Sequence, residues 1–121
     1  MTELAIEPLT REAFAPFGEV IGTEGAETFP INEGTTTRFH ALAIADPGPE
    51  GQVILSIFRG TRRPDPTAIR MLERHPLGSQ AFMPLQPRDW LVVVAERPTT
   101  EALRCFRARG DQGVNYSRGV W

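Results

Sequence analysis

With 121 residues, 40% of them apolar, the chain is sized for one domain over 1–121 with a single core, and 11 prolines with 11 glycines cut it into short pieces. A formal net charge of −2 gives no general attraction to nucleic acid or to an anionic membrane, and no stretch approaches a membrane span. All 13 basic residues are arginine, which excludes a Schiff base through a lysine amine and leaves planar forks suited to carboxylates, although a high-GC coding bias accounts for the same count.

The opening MTELAIEPLTREAF is charged and lacks the apolar run of a secretory signal. Residues 3–9 suit a first strand. LTREAFAPFG reads as a short helix capped by Thr10, burying Phe14 and Phe17 and limited by Pro16 and Gly18. EVIG follows as a strand, and the Gly-, Thr- and Glu-rich residues 22–36 read as a loop on the surface or over a site. TTTRFHALAIA is strand-like, with Arg38 and His40 on one face and Phe39 on the other.

DPGPEG is a turn, QVILSIFRG a dense apolar strand, and TRRPDPT another turn. Read as a strand, AIRMLERH puts Ile69, Met71, Glu73 and His75 on one face and Arg70, Leu72 and Arg74 on the other. SQAFMPL and WLVVVAER are strands, the second pairing with EALRCFRA. Short strands at about ten-residue spacing make the chain mainly β, an antiparallel sandwich or small barrel. The final GDQGVNYSRGVW is glycine-rich without opening a helix, which argues against a phosphate cradle. It stops at Trp121 with no polar tail, as a cut chain would.

Glu73 and His75, two apart on a strand, would point together into the face that Ile69 and Met71 make apolar. There they must be paired, bound to something or open to a cavity; both are proton carriers, and the bland alternative is an ion pair closing a strand end. Across the Pro76-Leu77-Gly78 turn, Gln80 returns its amide near His75, either as an orienting group or as an ordinary strand-edge glutamine. His40 and His75 are the only histidines, so a three-histidine metal site is excluded, whereas two His with Glu73 or Gln80 would suit nickel, manganese or zinc. Cys105, the single cysteine, sits in a strand-like run as a buried thiol rather than a nucleophile. It forms no intramolecular disulfide, and a reducing cytoplasm is the simplest placement.

FPINEGTTTRFHALA, LERHPLGSQAFMPL and DQGVNYSRGVW, in that order and after the opening LTREAFAPFGEVI, resemble the ureidoglycolate lyase family from the first residues to the last. The resemblance implies a homodimeric, cupin-like antiparallel β-barrel with a short N-terminal helix. It further implies an enzyme of allantoin and purine-nitrogen catabolism that splits (S)-ureidoglycolate into glyoxylate and urea. Matching positions make His75, Glu73 and Gln80 the catalytic candidates, with Asn32, Arg38, His40, Asn115 and Tyr116 binding substrate and Arg38 clamping its carboxylate. Nickel or another divalent ion has been associated with some members, and His75 and Gln80 would be its ligands here.

Two features depart from the family pattern. Ser117 stands where relatives often carry histidine, and relatives continue past the position of Trp121 with a His-Pro segment, a helix and a strand. The expectation is therefore a domain lacking the family's C-terminal segment. The rival reading is a non-catalytic cupin-like module that binds a small carboxylate or only dimerises.

Overall fold

The structure, a computed structural model, describes residues 3–121. In chain order its elements are β1 (Ile6–Pro8), helix α1 (Arg11–Phe14), β2 (Gly18–Ile21), β3 (Glu27–Ile31), β4 (Thr36–His40), β5 (Gln80–Phe82), β6 (Trp90–Val94), β7 (Arg104–Ala108) and β8 (Gly113–Tyr116), with short 3-10 turns at Asn32–Gly34 and Thr100–Ala102. The mainly β expectation holds.

Two three-stranded sheets hold the core. In the first, β6 and β7 pair antiparallel with Val92 opposite Phe106, and β1 runs parallel to the other side of β7. Alternation places Val92, Val94, Phe106 and Ala108 in the interior. In the second sheet β8 lies between β2 and β5, both antiparallel to it, and contributes Val114 opposite Val20.

Helix α1 is a single capped turn: the Thr10 hydroxyl accepts from the Ala13 N–H, and Phe14 and Phe17 fall into the core as expected. The Phe14 ring meets Phe106 edge-on at 5.5 Å between centroids, and Phe17 meets it at 6.1 Å. Arg104 covers both Phe17 and Phe106 with its guanidinium and donates two hydrogen bonds to Glu7, joining β1 to β7. That fork holds the Glu7 carboxyl below its usual range. Cys105 is buried, and burial pushes its thiol up, which fits an inert side chain.

The last strand was hidden by its composition. β8 is Gly-Val-Asn-Tyr, yet it is the centre of its sheet. A side chain at Gly113 would run into the Phe82 carbonyl and the Met83 side chain, so glycine is what lets β5 come close.

β3 and β4 form a hairpin where a loop over 22–36 was expected, with Phe29 opposite Arg38 and Glu27 opposite His40. Asn32, Glu33 and Gly34 all carry positive φ and close its turn. The hairpin packs substantially on neither core sheet.

The sheets do not close into a barrel among the described residues. Residues 41–79 contain no strand, so neither QVILSIFRG nor AIRMLERH becomes a stave. Both stretches are apolar enough, but a stave also needs a hydrogen-bonded neighbour on each side, and neither has one. Val53, Ile54, Leu55, Ile57 and Phe58 are consequently exposed, Leu55 at 95%.

Candidate active site

The inner face of the second sheet runs beyond its core residues into an open cavity of about 570 Å³, within the range of small-molecule sites. Gln80 and Tyr116 are cross-strand partners on β5 and β8, so their side chains sit next to each other on this face. Phe82, two residues along β5, presents its ring edge-on to Tyr116 at 5.7 Å. Another wall of the cavity is irregular chain, which supplies Arg63, Arg70, Glu73 and His75. Three separate stretches of sequence thus meet in one place.

Glu73 and His75 were expected on a buried strand face, but both are exposed at the cavity mouth on a strandless segment. With no pleat to impose alternation, every residue from Thr67 to Glu73 contributes to the lining, including Arg70, which strand geometry would have turned away. The exposure removes the burial argument and leaves the convergence.

The turn that carries His75 and Gln80 is held at both ends. The His75 carbonyl accepts the Gly119 N–H at 2.9 Å. Four residues on, the Ser79 N–H donates to the Asp46 carbonyl and the Ser79 hydroxyl accepts the Asp46 N–H, both at 2.8 Å. The Asp46 carboxylate in turn accepts from Arg118 through both oxygens and from the Gly48 N–H. Arg118 first, then Gly48, holds this carboxyl below its usual range.

Tyr116 is half-buried among aromatic rings, which pushes its phenol up to about 12. It therefore stays protonated through neutral pH and can donate a hydrogen bond but not take a proton.

The other expected site residues do not line this cavity. Asn115 points to the opposite side of β8, where its amide donates to Glu19 Oε1 and the Ile44 carbonyl and so ties down the start of the strandless segment. Asn32 serves the hairpin turn; its carbonyl accepts the Thr35 N–H and hydroxyl. Arg38 and His40 share a face of β4 as expected, but on the separate hairpin, where His40 lies edge-on to Phe29 at 5.5 Å. Arg63 and Arg70 line the cavity without having been singled out; the only hint was the Pro64 and Pro66 pair, which denies that neighbourhood a regular strand.

A family model described as ureidoglycolate lyase matches residues 1–121. The chain belongs to the ureidoglycolate lyase family. Relatives named ureidoglycolate lyase include one from Pseudomonas syringae pv. syringae (strain B728a), 57% identical over the whole of this chain and 74% of its own length. Those from Pseudomonas putida (strain W619) and Azotobacter vinelandii (strain DJ / ATCC BAA-1303) are 55% and 56% identical, again over the whole chain and 75% of their own length. Ureidoglycolate lyases are lyases that release urea, so the cavity belongs to a member of an enzyme family.

The divalent ion suggested by the resemblance to ureidoglycolate lyases needs a clustered donor set. Among the described residues, no three His, Cys, Asp or Glu side chains come together to hold one. His75 and Glu73 have only the Gln80 amide to add, and His40 is on the hairpin. Among the described residues, the donors at this cavity do not fit a resident metal.

Proposed function

We propose that the cavity carries out the elimination of urea from (S)-ureidoglycolate, leaving glyoxylate, within allantoin breakdown. The observation carrying this reading is the meeting of Glu73, His75, Gln80 and Tyr116 in one cavity of a ureidoglycolate lyase family member. The substrate is a hemiaminal: one carbon bears a hydroxyl, a carboxylate and the ureido nitrogen. A base removes the hydroxyl proton, the C–O bond becomes the aldehyde C=O, the C–N bond breaks, and the departing nitrogen takes up a proton to give urea. The sum is a unimolecular split that consumes no water.

His75 takes the hydroxyl proton, and Glu73, two residues away at the same mouth, orients the imidazole or delivers the proton to nitrogen. Tyr116 donates to the urea carbonyl, a role suited to a phenol that burial keeps protonated. Gln80 beside it both accepts from and donates to the urea amide. His75→Ala is expected to lower kcat by roughly 10²–10⁴-fold with an unchanged far-UV circular dichroism spectrum, followed as glyoxylate and urea released. A loss below about threefold would remove His75 from the chemistry.

Two copies acting together in the cytoplasm complete the reading. Phe29 and Ile31 on one face of the hairpin, Phe39 on the other, and the 53–58 run are exposed apolar surface that a second copy would cover. A lone buried thiol suits a reducing compartment. Sedimentation of the purified chain at increasing concentration tests the pairing; a single monomer species throughout would overturn it.

A further inference from the structure

The hemiaminal carries a carboxylate, and the arginine expected to hold it, Arg38, is not among the residues lining the cavity. There is no lysine in the chain, so the fixed side-chain cations it offers are its 13 arginines. Most of the others are committed or elsewhere. Arg104 is bonded to Glu7, Arg109 to Glu24 and Asp111, Arg118 to Asp46, and Arg88 to Gln86. Arg11 donates to three backbone carbonyls, and Arg74 lies over the Trp121 ring at 5.1 Å. Of the arginines without such a partner among the described residues, Arg63 and Arg70 alone line the cavity, on the wall that also carries Glu73 and His75.

We propose that Arg63 and Arg70 form the carboxylate site of this cavity, an assignment that rests on the lyase reading for its substrate but not for its ligand chemistry. A guanidinium matches a carboxylate through two parallel N–H donors, and an uncommitted fork has no internal ion pair to break before it binds. The placement also divides the labour in the cavity. The β5–β8 face offers an amide and a phenol, groups suited to a neutral urea, whereas the irregular wall offers the cations. A substrate bound between them has its carboxylate on one set and its ureido group on the other, with the reacting carbon near His75. Product glyoxylate keeps the carboxylate and loses the urea, so it would retain the arginine contacts and be a competitive inhibitor.

The test uses the full chain and two probes. Glyoxylate binding is measured by calorimetry, and turnover is measured with ureidoglycolate and with N-(hydroxymethyl)urea, the same hemiaminal without its carboxylate. Arg70→Gln and Arg63→Gln are each expected to weaken glyoxylate binding and raise KM for ureidoglycolate by about tenfold or more, with Arg70→Lys recovering part of the loss. The rate with N-(hydroxymethyl)urea should be unchanged in all three. Glyoxylate affinity within about twofold of the parent in both glutamine variants, no glyoxylate binding by the parent chain, or an equal loss with the carboxylate-free probe would each overturn the assignment. Arginine-dependent glyoxylate binding without turnover would uphold the carboxylate site while sinking the lyase reading, so the two fail separately.

Discussion

The two-sheet core and the 53–58 stretch of the strandless run are both densely apolar in sequence, yet only the first is packed. Val92, Val94, Phe106 and Val114 are almost wholly buried, because each lies on a hydrogen-bonded strand whose inner face packs into the common core. Val53 to Phe58 has comparable side chains and no ladder, and it is exposed. Hydrophobicity supplies the drive to bury surface, but the backbone's need for hydrogen-bond partners decides which apolar segment enters a sheet. The proposed chemistry sits on the seam between the two: Gln80 and Tyr116 come from the ordered side, Glu73 and His75 from the irregular one.

Substitutions on either side should separate the regions. Phe106→Ala empties the centre of the aromatic cluster and is expected to cost about 3–5 kcal/mol, read from urea denaturation. A loss under about 1 kcal/mol would mean that the core is not organised around that ring. Asp46→Asn should act on the other region: the turn between His75 and Gln80 loosens, turnover falls by roughly tenfold, and the thermal midpoint scarcely moves, because the Asp46–Arg118 pair is solvent-exposed. Equal loss of stability and activity would place Asp46 in the general fold instead.

Acid sharpens the same distinction. Because Arg118 and the Gly48 N–H depress the Asp46 carboxyl, its contribution is fully present above the pH at which a free aspartate titrates. It disappears only as the pH falls through the lowered native value. The ratio of parent to Asp46→Asn turnover should therefore be constant through neutral pH and shrink in strong acid; a ratio that grew on acidification would reverse the assignment. Smallest of all, Leu55→Ser should change stability by less than about 0.5 kcal/mol while reducing self-association at high concentration, measured by light scattering.

How much could be read in advance follows the same division. β2, β4, β5, β6 and β7 were legible because alternating residues met clear turns, and the β6–β7 pairing followed from adjacency. β3 was not, since Gly, Thr and Pro30 disguise a hairpin strand whose register needs only its own partner. β8 was obscured by Gly113 and Asn115, residues that weaken strand propensity but serve a close backbone approach and a buried polar tie. For the cavity, Glu73, His75 and Gln80 were read as catalytic candidates and Tyr116, with Asn32, Arg38, His40 and Asn115, as substrate-binding; the first four line one cavity and the other four do not. Arg70 was assigned to the back of a strand that does not form, and Arg38 was given the role of carboxylate clamp although the hairpin keeps it off the cavity lining.

The hydrogen bond from Gly119 to the His75 carbonyl has a kinetic corollary. Ser79 is moored, through Asp46, to the neighbouring Arg118, so the imidazole and the Gln80 amide hang from one short stretch of backbone. Any displacement of the His75–Ser79 turn moves the proton acceptor relative to the Gln80 amide and Tyr116, which the β5–β8 ladder holds. Deuterium uptake at the Gly119 amide would then act as a built-in gauge of how often the irregular wall of the cavity parts from its β5–β8 face.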